Sequence, residues 1–387
     1  MNIACAKRFV AGVVVVCTVG LMPMRALGWG TEGHRIVARI AARYLDPATR
    51  DRLVELIQYD LKANQGYYFL QQREKSNAYE AKCIDLLKLA EKASLTESER
   101  DRIVSEGLGC MASWPDPPVK SQRIYTSNWH FVDIPIVMQK ATGDVAAHFQ
   151  FDASISPRYK YSAARDCVTD PRNGDCAIQA LERLEPIVGN AISKSNEFGE
   201  SIEARVEALK FVVHIIGDIH QPLHCVTDKK SIDTVNDPKD HGDLGGNTKI
   251  ATWFGEAKTP YGLMNLHSIW DDGFISHTMQ TMKLTEDDYI AQLVKQKDSD
   301  LAQKQAGSIF DWAGESYELA VVDAYGKLPP IDMNYEYQDR SGKTQKGGYR
   351  LGDEYYKANN DVVEQQLRLS GARLARVLNE ILSKVQK

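Results

Sequence analysis

The chain has 387 residues, which is enough for one large domain or two small ones with a sizeable hydrophobic core. Its formal net charge is −5, and residues 29–387 carry −8 because the first 28 residues hold three basic and no acidic side chains. This acidic balance excludes a protein that holds nucleic acid through a broad basic face. An anionic ligand would need positive charge from another source, such as bound metal.

Residues 1–28 are predicted to be a secretory signal peptide. Lys7 and Arg8 form a basic start, and the apolar run at 9–22 is short for a membrane span. An uncleaved anchor is the alternative. No second apolar stretch approaches spanning length, so we expect residues 29–387 to be secreted or periplasmic. We also expect the processed protein to be monomeric, without stable membrane association.

Five cysteines follow this leader, and an exported protein can oxidise them. They are Cys83, Cys110, Cys167, Cys176 and Cys225. Cys167 and Cys176 bracket a turn-rich segment, which predicts a disulfide, and Cys83 with Cys110 is a further candidate pair. Cys225 would then be the odd thiol. We expect it to be a buried structural residue, with a role as zinc ligand as the alternative.

Helix signals dominate the chain, and we predict an all-α, mainly helical fold with little β structure. After His34, apolar residues recur at helical spacing. Asp46 precedes a proline at a first helical position, and Thr96 with Glu99 forms a capping box. Amphipathic patterns predict further helices at 177–193, 202–217, 286–297, 307–324 and 357–385.

The segments between these helices are predicted to be mostly loop. Three prolines within four residues make 113–118 irregular. Residues 128–135 are aromatic and extended in character, and 248–254 holds the best strand signal. The longer loops are predicted at 228–247 and 329–353, and 139–173 is predicted to be surface loops with short helices. No linker or internal repeat divides the chain, so residues 29–387 are predicted to form one domain.

The most informative stretch is 214–224, His-Ile-Ile-Gly-Asp-Ile-His-Gln-Pro-Leu-His. His214 and Asp218 are four residues apart, so a helix places both side chains on one face. Pro222 ends or bends that helix and lets His224 turn back toward the same point. Imidazole and carboxylate are the groups that zinc binds when no thiolate is present. A hydrogen-bonded buried cluster is the alternative, but three such groups facing one point are costly to bury unpaired.

Similar groups recur elsewhere in the chain. A second histidine and aspartate repeat the four-residue spacing, an aspartate lies between prolines, and removal of the leader would create a chelating amine and carbonyl. The nine candidate ligands are Trp29, His34, Asp116, His130, His214, Asp218, His224, His267 and Asp271. Nine ligands exceed one tetrahedral zinc site and suit a cluster of two or three ions.

The order of these motifs along the chain is distinctive. A tryptophan at the processed start is followed by Gly-His, Trp-x-Asp, His-Phe-x-Asp, His-x3-Asp-x2-Gln-Pro-Leu-His, Gly-Gly-Asn and Asn-Leu-His-x3-Asp. In this order the chain resembles the S1/P1 nucleases across residues 29–271, and the helix predicted at 357–385 is similar to the family's closing helix. The resemblance implies a secreted trizinc enzyme whose fold is related to bacterial zinc phospholipase C.

The resemblance also assigns the nine ligands to three Zn²⁺ ions. The first ion would be held by Asp116, His130, His214 and Asp218. The second would share Asp218 as a bridge and take the remaining ligands Trp29 and His34. The third would be held by His224, His267 and Asp271.

A reaction and its substrate contacts are implied as well. Zinc lowers the pKa of bound water toward neutrality, which supplies a hydroxide for in-line attack on a phosphodiester and leaves a 5′-phosphate. Asp116 would orient this nucleophile or accept its proton, and a role as a plain ligand is the alternative. Phe131 would stack on an unpaired base, Asp133 and Asn247 would bind the base, and Lys120 would contact phosphate. The expected substrates are single-stranded DNA, RNA and nucleotides, including removal of 3′-phosphates.

Two other functions fit part of the same pattern. A phospholipase C-like lipid phosphodiesterase would use the same scaffold, but Asp271 stands where the lipase relatives have glutamate. A non-catalytic zinc-binding exported protein would need closed metal sites, whereas this pattern leaves open positions. The full ligand set and the His-Phe-Val-Asp segment therefore favour a nuclease.

Several parts of the chain depart from the family pattern or lie outside its assignments. Long inserts occupy 46–112, 139–200 and 325–355, and they would line the cleft or bind partners. His220 and His241 are expected to be polar loop residues, with a supporting role beside the metals as the alternative.

Overall fold

The computed structural model describes most of the chain after residue 28. The described ranges are 29–64, 78–119, 122–139, 148–151, 161–167, 169, 173–189, 201–228, 242–259, 262–295, 301–339 and 341–383. The predicted signal peptide lies outside the described residues, as do Lys120 and His241. Each helix in these ranges is too short or too polar to cross a membrane.

Helices form most of the described structure, as the sequence predicts. In chain order they are α1 (Thr31–Ala41), α2 (Pro47–Ala63), α3 (Ala78–Ala90), α4 (Glu97–Met111), α5 (Ala163–Asp166), α6 (Ala177–Val188), α7 (Ile202–Ile219), α8 (Leu266–Ser268), α9 (Phe274–Met282), α10 (Glu286–Val294), α11 (Leu301–Lys304), α12 (Ile309–Leu319) and α13 (Asp353–Ser383). Shorter 3₁₀ or π-helical turns lie at Ala42–Tyr44, Pro115–Val119, Ile124–His130, Pro222–Cys225, Ile269–Gly273 and Ala320–Tyr325. The predicted capping box of Thr96 and Glu99 begins α4.

The described strands are few and short. They are β1 (Pro135–Gln139), β2 (His148–Phe151), β3 (Thr227–Asp228), β4 (Ala251–Trp253), β5 (Lys258–Thr259), β6 (Gly262–Leu263), β7 (Asp332–Gln338) and β8 (Thr344–Leu351). They form two three-stranded sheets, ordered β2-β1-β3 and β4-β8-β7, and the pair β5-β6.

One prediction for this part of the chain is wrong. The segment 329–353 was expected to be loop, but β7 and β8 form an antiparallel hairpin there, and β8 runs parallel to β4. Its glycine and tyrosine content favours loop. Tyr335 and Tyr337 alternate with polar residues in the period-two pattern of a strand and are partly buried, whereas Met333 is exposed.

The helices that reach the site pack around one core. The helix α1 packs against α13 and α4, and α7 packs against α6, α2 and α13. Both candidate disulfides are present, Cys83–Cys110 between α3 and α4 and Cys167–Cys176 before α6. Cys225 is a buried free cysteine whose thiol donates to the carbonyl of Ile219.

Candidate metal centre

The helix α7 carries the central pair of candidate ligands. Its N-cap Ser201 accepts a hydrogen bond from the amide of Ala204, and its C-terminal half is buried on all sides. His214 Nε2 lies 3.2 Å from Asp218 Oδ2, as their spacing predicts. The helix ends before Pro222, and the following 3₁₀ turn brings His224 Nδ1 to 3.7 Å from Asp218 Oδ1.

Three groups of buried side chains meet around this pair, and in each group the possible ligand atoms lie within 4.8 Å of one another. Cluster I is His34, His214 and Asp218. Cluster II is Asp116, His130 and His214. Cluster III is His224, His267 and Asp271. The clusters adjoin, because Asp218 also lies 3.3 Å from His34 Nε2 and 2.9 Å from His130 Nδ1.

The ninth candidate, Trp29, lies beside cluster I. Its side chain is fully buried. A Cβ atom at Gly217 would lie 2.7 Å from His34 Nδ1 and 3.8 Å from Trp29 Cδ1. Only glycine leaves room for the ring of His34 at this point, and Trp29 lies at ordinary contact distance, so both rings lie against the same part of α7.

Backbone carbonyls orient three of the histidines. Each donates a hydrogen bond from Nδ1 to a carbonyl oxygen at 2.7 Å, and the bonds join His214 to Ala112, His224 to His130 and His267 to Gly245. A histidine held in this way presents the lone pair of Nε2. All three therefore point an acceptor atom into the clusters.

The nitrogen and oxygen atoms that face one another in the clusters are better suited to binding a cation than to hydrogen bonding with each other. His224 Nε2 and His267 Nε2 lie 3.0 Å apart, and both are acceptors because each Nδ1 is the donor. Nδ1 of the buried His34 has no hydrogen-bond partner among the described residues. A divalent cation satisfies such facing lone pairs, and imidazole with carboxylate is a zinc ligand set.

The electrostatics differ between the two ends of the centre. Burial alone would raise the pKa of Asp218, but His214 and His224 hold it well below its usual range. Burial and the neighbouring Asp272 raise the pKa of Asp271 well above its usual range. Cluster III thus contains a carboxylate that lacks balancing positive charge, and a cation there would lower its pKa.

Comparison with known proteins identifies the family. The family model of the S1/P1 Nuclease matches residues 29–383. The chain belongs to the S1/P1 nuclease family. It is 29% identical to Endonuclease 5 of Arabidopsis thaliana over 72% of this chain and 78% of the relative, and 27% identical to Endonuclease 3 of the same plant over 94% and 92%. Nuclease S1 of Aspergillus oryzae is 29% identical over 54% of this chain and 71% of its own length.

Membership of this family settles the class of reaction. S1/P1 nucleases are zinc-dependent hydrolases of phosphodiester bonds, so the protein is a nuclease with nucleic acid as its substrate. The three clusters are the groups in the described part of the chain that have the composition and spacing to bind the metal.

Sequence reasoning did not assign a role to Gln221. Its Nε2 donates to Asp271 Oδ1 at 2.6 Å, and its Oε1 accepts from the amide of Leu223 at 2.6 Å. The side chain therefore fixes one carboxylate of cluster III. The position of Gln221 between the candidate ligands Asp218 and His224 was the signal in the sequence that could have indicated this role.

Two of the predicted base-binding residues, Phe131 and Asn247, lie on the side of cluster III. Phe131 is half-buried and stacks on His224, with ring centroids 4.6 Å apart. Asn247 is half-buried and donates to the carbonyl of Leu244. It lies in the loop whose Gly245 carbonyl orients His267. Asp133 is also half-buried, and its amide donates to the carbonyl of Asp166 at 3.0 Å.

Two expectations for this region need correction. Residues 128–130 were expected to be extended, but they end the 3₁₀ turn Ile124–His130, and extended backbone begins at Phe131. The turn points the carbonyl of His130 at His224. His220 is not a polar loop residue, because it caps the C-terminus of α7 and is fully buried.

Proposed function

We propose that the protein is an exported trizinc nuclease and 3′-nucleotidase that acts on single-stranded DNA and RNA. It leaves 5′-phosphate products and removes 3′-phosphates from nucleotides. The supporting observation is that eight of the nine candidate ligands lie in three adjoining buried clusters of an S1/P1 nuclease chain. The active form is residues 29–387 as one monomeric domain in the periplasm or outside the cell, without stable membrane association.

The ligands are proposed to divide among three zinc ions. The first ion takes Asp116, His130, His214 and Asp218. The second shares Asp218 and takes His34 with the amine and carbonyl of Trp29. The third takes cluster III. Zinc in these positions would supply Lewis-acid polarisation of the phosphate and would lower the pKa of a bound water to about 7.

The side chains of the centre then have separate tasks. Asp116 Oδ1 lies 3.6 Å from His214 Nε2, so its carboxylate is positioned beside the ligand atoms of cluster II. In our proposal it orients the attacking water or accepts its proton, and a role as ligand alone is the alternative. The carbonyls of Ala112 and Gly245 keep His214 and His267 in the tautomer that binds metal.

Substrate selection is proposed to come from the side of cluster III. His224 stacks on one face of Phe131, so an unpaired base would stack on the opposite face of that ring. Asp133 and Asn247 would bind the edge of that base, and Lys120 would contact phosphate. Because stacking requires an exposed base face, single strands are preferred over duplexes.

Activity assays on the processed protein test this function. Residues 29–387 are incubated with single-stranded DNA, single-stranded RNA, 3′-AMP and phosphatidylcholine, with EDTA and after zinc is restored. We expect zinc-dependent hydrolysis of the first three substrates only. The variant His214→Ala should be inactive, whereas His277→Ala, a control at a histidine of α9 outside the clusters, should be active.

Four results would contradict the proposal. Cleavage that continues after EDTA treatment would exclude zinc chemistry. Hydrolysis of phosphatidylcholine without nucleic acid would indicate a lipid phosphodiesterase. Zinc binding without turnover of any phosphoester would indicate a non-catalytic zinc protein. Equal activity of the two histidine variants would place the reaction elsewhere.

A further inference from the structure

A second buried interaction joins the C-terminus of α7 to α13, outside the three clusters. His220 caps α7, and its Nδ1 lies 2.7 Å from the carbonyl oxygen of Ile216. Its Nε2 lies 3.1 Å from Nη1 of Arg373. A guanidinium group only donates, so Nε2 is the acceptor and Nδ1 carries the proton that is donated to Ile216. Burial and the charge of Arg373 lower the pKa of His220 to about 3, which is consistent with this neutral form.

Arg373 is itself held on several sides. Its Nε donates to the carbonyl of Lys304 at 3.0 Å, and Nη2 pairs with Glu315 at 2.6 Å. Its guanidinium lies 5.1 Å from the ring centroid of Trp312, and the residue is 4% exposed. One turn earlier on α13, Ser370 donates to the same carbonyl of Ile216 that His220 binds. The end of α7 is thus fixed to α13 by two neighbouring side chains.

The residue after His220 connects this contact to cluster III. The side chain of His220 reaches α13, whereas that of Gln221 reaches Asp271. The 3₁₀ turn that carries His224 begins at the next residue, Pro222. The two residues at the end of α7 therefore lie between an arginine of α13 and two ligands of cluster III.

The three clusters depend to different degrees on residues 220–221, which form a corner between α7 and the following 3₁₀ turn. His214 and Asp218 lie inside α7, and the helix fixes their relative positions through its own backbone hydrogen bonds. His224 follows the corner, and the orientation of Asp271 depends on Gln221. A rotation at residues 220–221 would therefore move ligands of cluster III without separating His214 from Asp218.

We propose that Arg373 and His220 are positioning residues that set the geometry of cluster III and so the zinc affinity of that site. The inference rests on the proposed function, since it requires cluster III to bind zinc. Neither residue touches the substrate or a ligand atom in this account. Their effect is transmitted through Gln221 to Asp271 and through the chain to His224.

The test compares Arg373→Met with a matched control, Arg376→Met, in residues 29–387. The guanidinium of Arg376 lies 4.8 Å from the same Trp312 ring and donates to the carbonyls of Gln305 and Gly307. Among the described residues it has no hydrogen bond to His220. The zinc-free proteins are titrated with zinc chloride against a chromophoric chelator, and their melting temperatures are recorded.

Arg373→Met should weaken one class of zinc sites about tenfold, the lower end of the range for residues that support a metal ligand. At a free zinc concentration that fills about nine-tenths of this site in the wild type, the tenfold weaker site of the variant should be only about half filled. Arg376→Met should bind zinc as the wild type does, even where its melting temperature falls. The comparison of the two variants separates an effect on zinc-site geometry from an effect on the stability of the fold.

A pair of substitutions at position 220 provides the second test and decides the question should Arg373→Met not fold. His220→Gln retains an acceptor for Arg373 and should keep the wild-type zinc content. His220→Leu removes the acceptor and should weaken zinc binding at the same class of site as Arg373→Met does.

Unchanged zinc binding in Arg373→Met or His220→Leu would overturn the inference alone. An equal loss of zinc in Arg376→Met would do the same. A wild-type protein that binds no zinc would overturn the proposed function together with this inference, so the two failures are distinguishable.

Discussion

Two buried polar groups in this protein contain similar side chains but differ in how their charges are balanced. The first, which we call the lysine cluster, consists of Asp228, Asp243, Lys249 and Tyr325. Lys249 Nζ lies 3.2 Å from Asp228 and 3.3 Å from Asp243, and the hydroxyl of Tyr325 donates to Asp243 at 2.8 Å. Burial would lower the pKa of Lys249, but the two carboxylates raise it. Lys249 supplies a counter-charge inside this group, although burial still raises the pKa of Asp243.

Cluster III of the metal centre is not balanced in this way. In cluster III two acceptor nitrogens face each other at 3.0 Å, and burial raises the pKa of Asp271. Buried charge is tolerated when opposite charge and hydrogen bonds accompany it, as in the lysine cluster, and otherwise requires a ligand. The comparison shows that the count of buried carboxylates does not distinguish structure from function, whereas the pairing of donors with acceptors does.

The strongest test of this contrast replaces one carboxylate in each group. Asp218→Asn removes the carboxylate of cluster I that also lies beside cluster II. We expect the rate of single-stranded DNA hydrolysis to fall about 1,000-fold, because a bound metal contributes several kcal/mol to such reactions. Asp243→Asn should retain zinc and most activity. Activity is measured at fixed free zinc. Equal losses in the two variants would contradict the distinction between the groups.

The next largest effect concerns stability rather than activity. Lys249→Met leaves Asp228 and Asp243 buried without their cation, and breaking such a pair costs about 3 kcal/mol of unfolding free energy. Urea denaturation followed by circular dichroism measures this cost, and metal analysis of the same sample should give the zinc content of the wild type. Loss of zinc without loss of stability would show that the lysine cluster belongs to the metal centre.

A change at the N-terminus tests whether the α-amine of Trp29 is a metal ligand beside cluster I. One methionine added before Trp29 removes the α-amine from the position beside His34, so the protein should bind one zinc fewer and hydrolyse DNA at least about tenfold more slowly. The control is the same protein with one methionine added after Lys387. Identical zinc content and rates in both forms would refute chelation by the N-terminus.

The smallest expected effect tests the base-binding side of the centre. Phe131→Ala should raise KM for single-stranded DNA about tenfold, since stacking on one aromatic ring contributes about 1–3 kcal/mol per base. Zinc content should not change. Phe254→Ala, at an exposed phenylalanine that stacks on His277, is the control and should leave KM unaltered. A KM unchanged by the first substitution would exclude Phe131 from base binding.

The sequence predicted the features whose signals are local. The helical spacing of His214 and Asp218 placed both side chains on one face of α7, and the capping box at Thr96 located the start of α4. The motif order then led to the family, which the family comparison confirmed. The number of zinc ions and the assignment of each ligand remain predictions.

The features that the sequence did not reveal depend on contacts between distant parts of the chain. His220 and Arg373 are separated by 153 positions, and no local pattern connects them. The carbonyls of Ala112 and Gly245 act through the backbone, so their residue types carry no signal. The glycine and tyrosine content of 329–353 favours loop, and it masks the alternation of apolar and polar side chains that indicates the β7–β8 hairpin. The roles of the inserts at 46–112, 139–200 and 325–355 remain predictions.

The central claim is that the three buried clusters hold zinc. The most direct measurement is X-ray diffraction at the zinc absorption edge from crystals of residues 29–387 grown with zinc. We expect three anomalous peaks per chain, one between Asp116, His130 and His214, one between His34 and Asp218, and one within cluster III. Anomalous maps with no peak at these positions, and with the histidines and aspartates bonded only to one another, would contradict this claim.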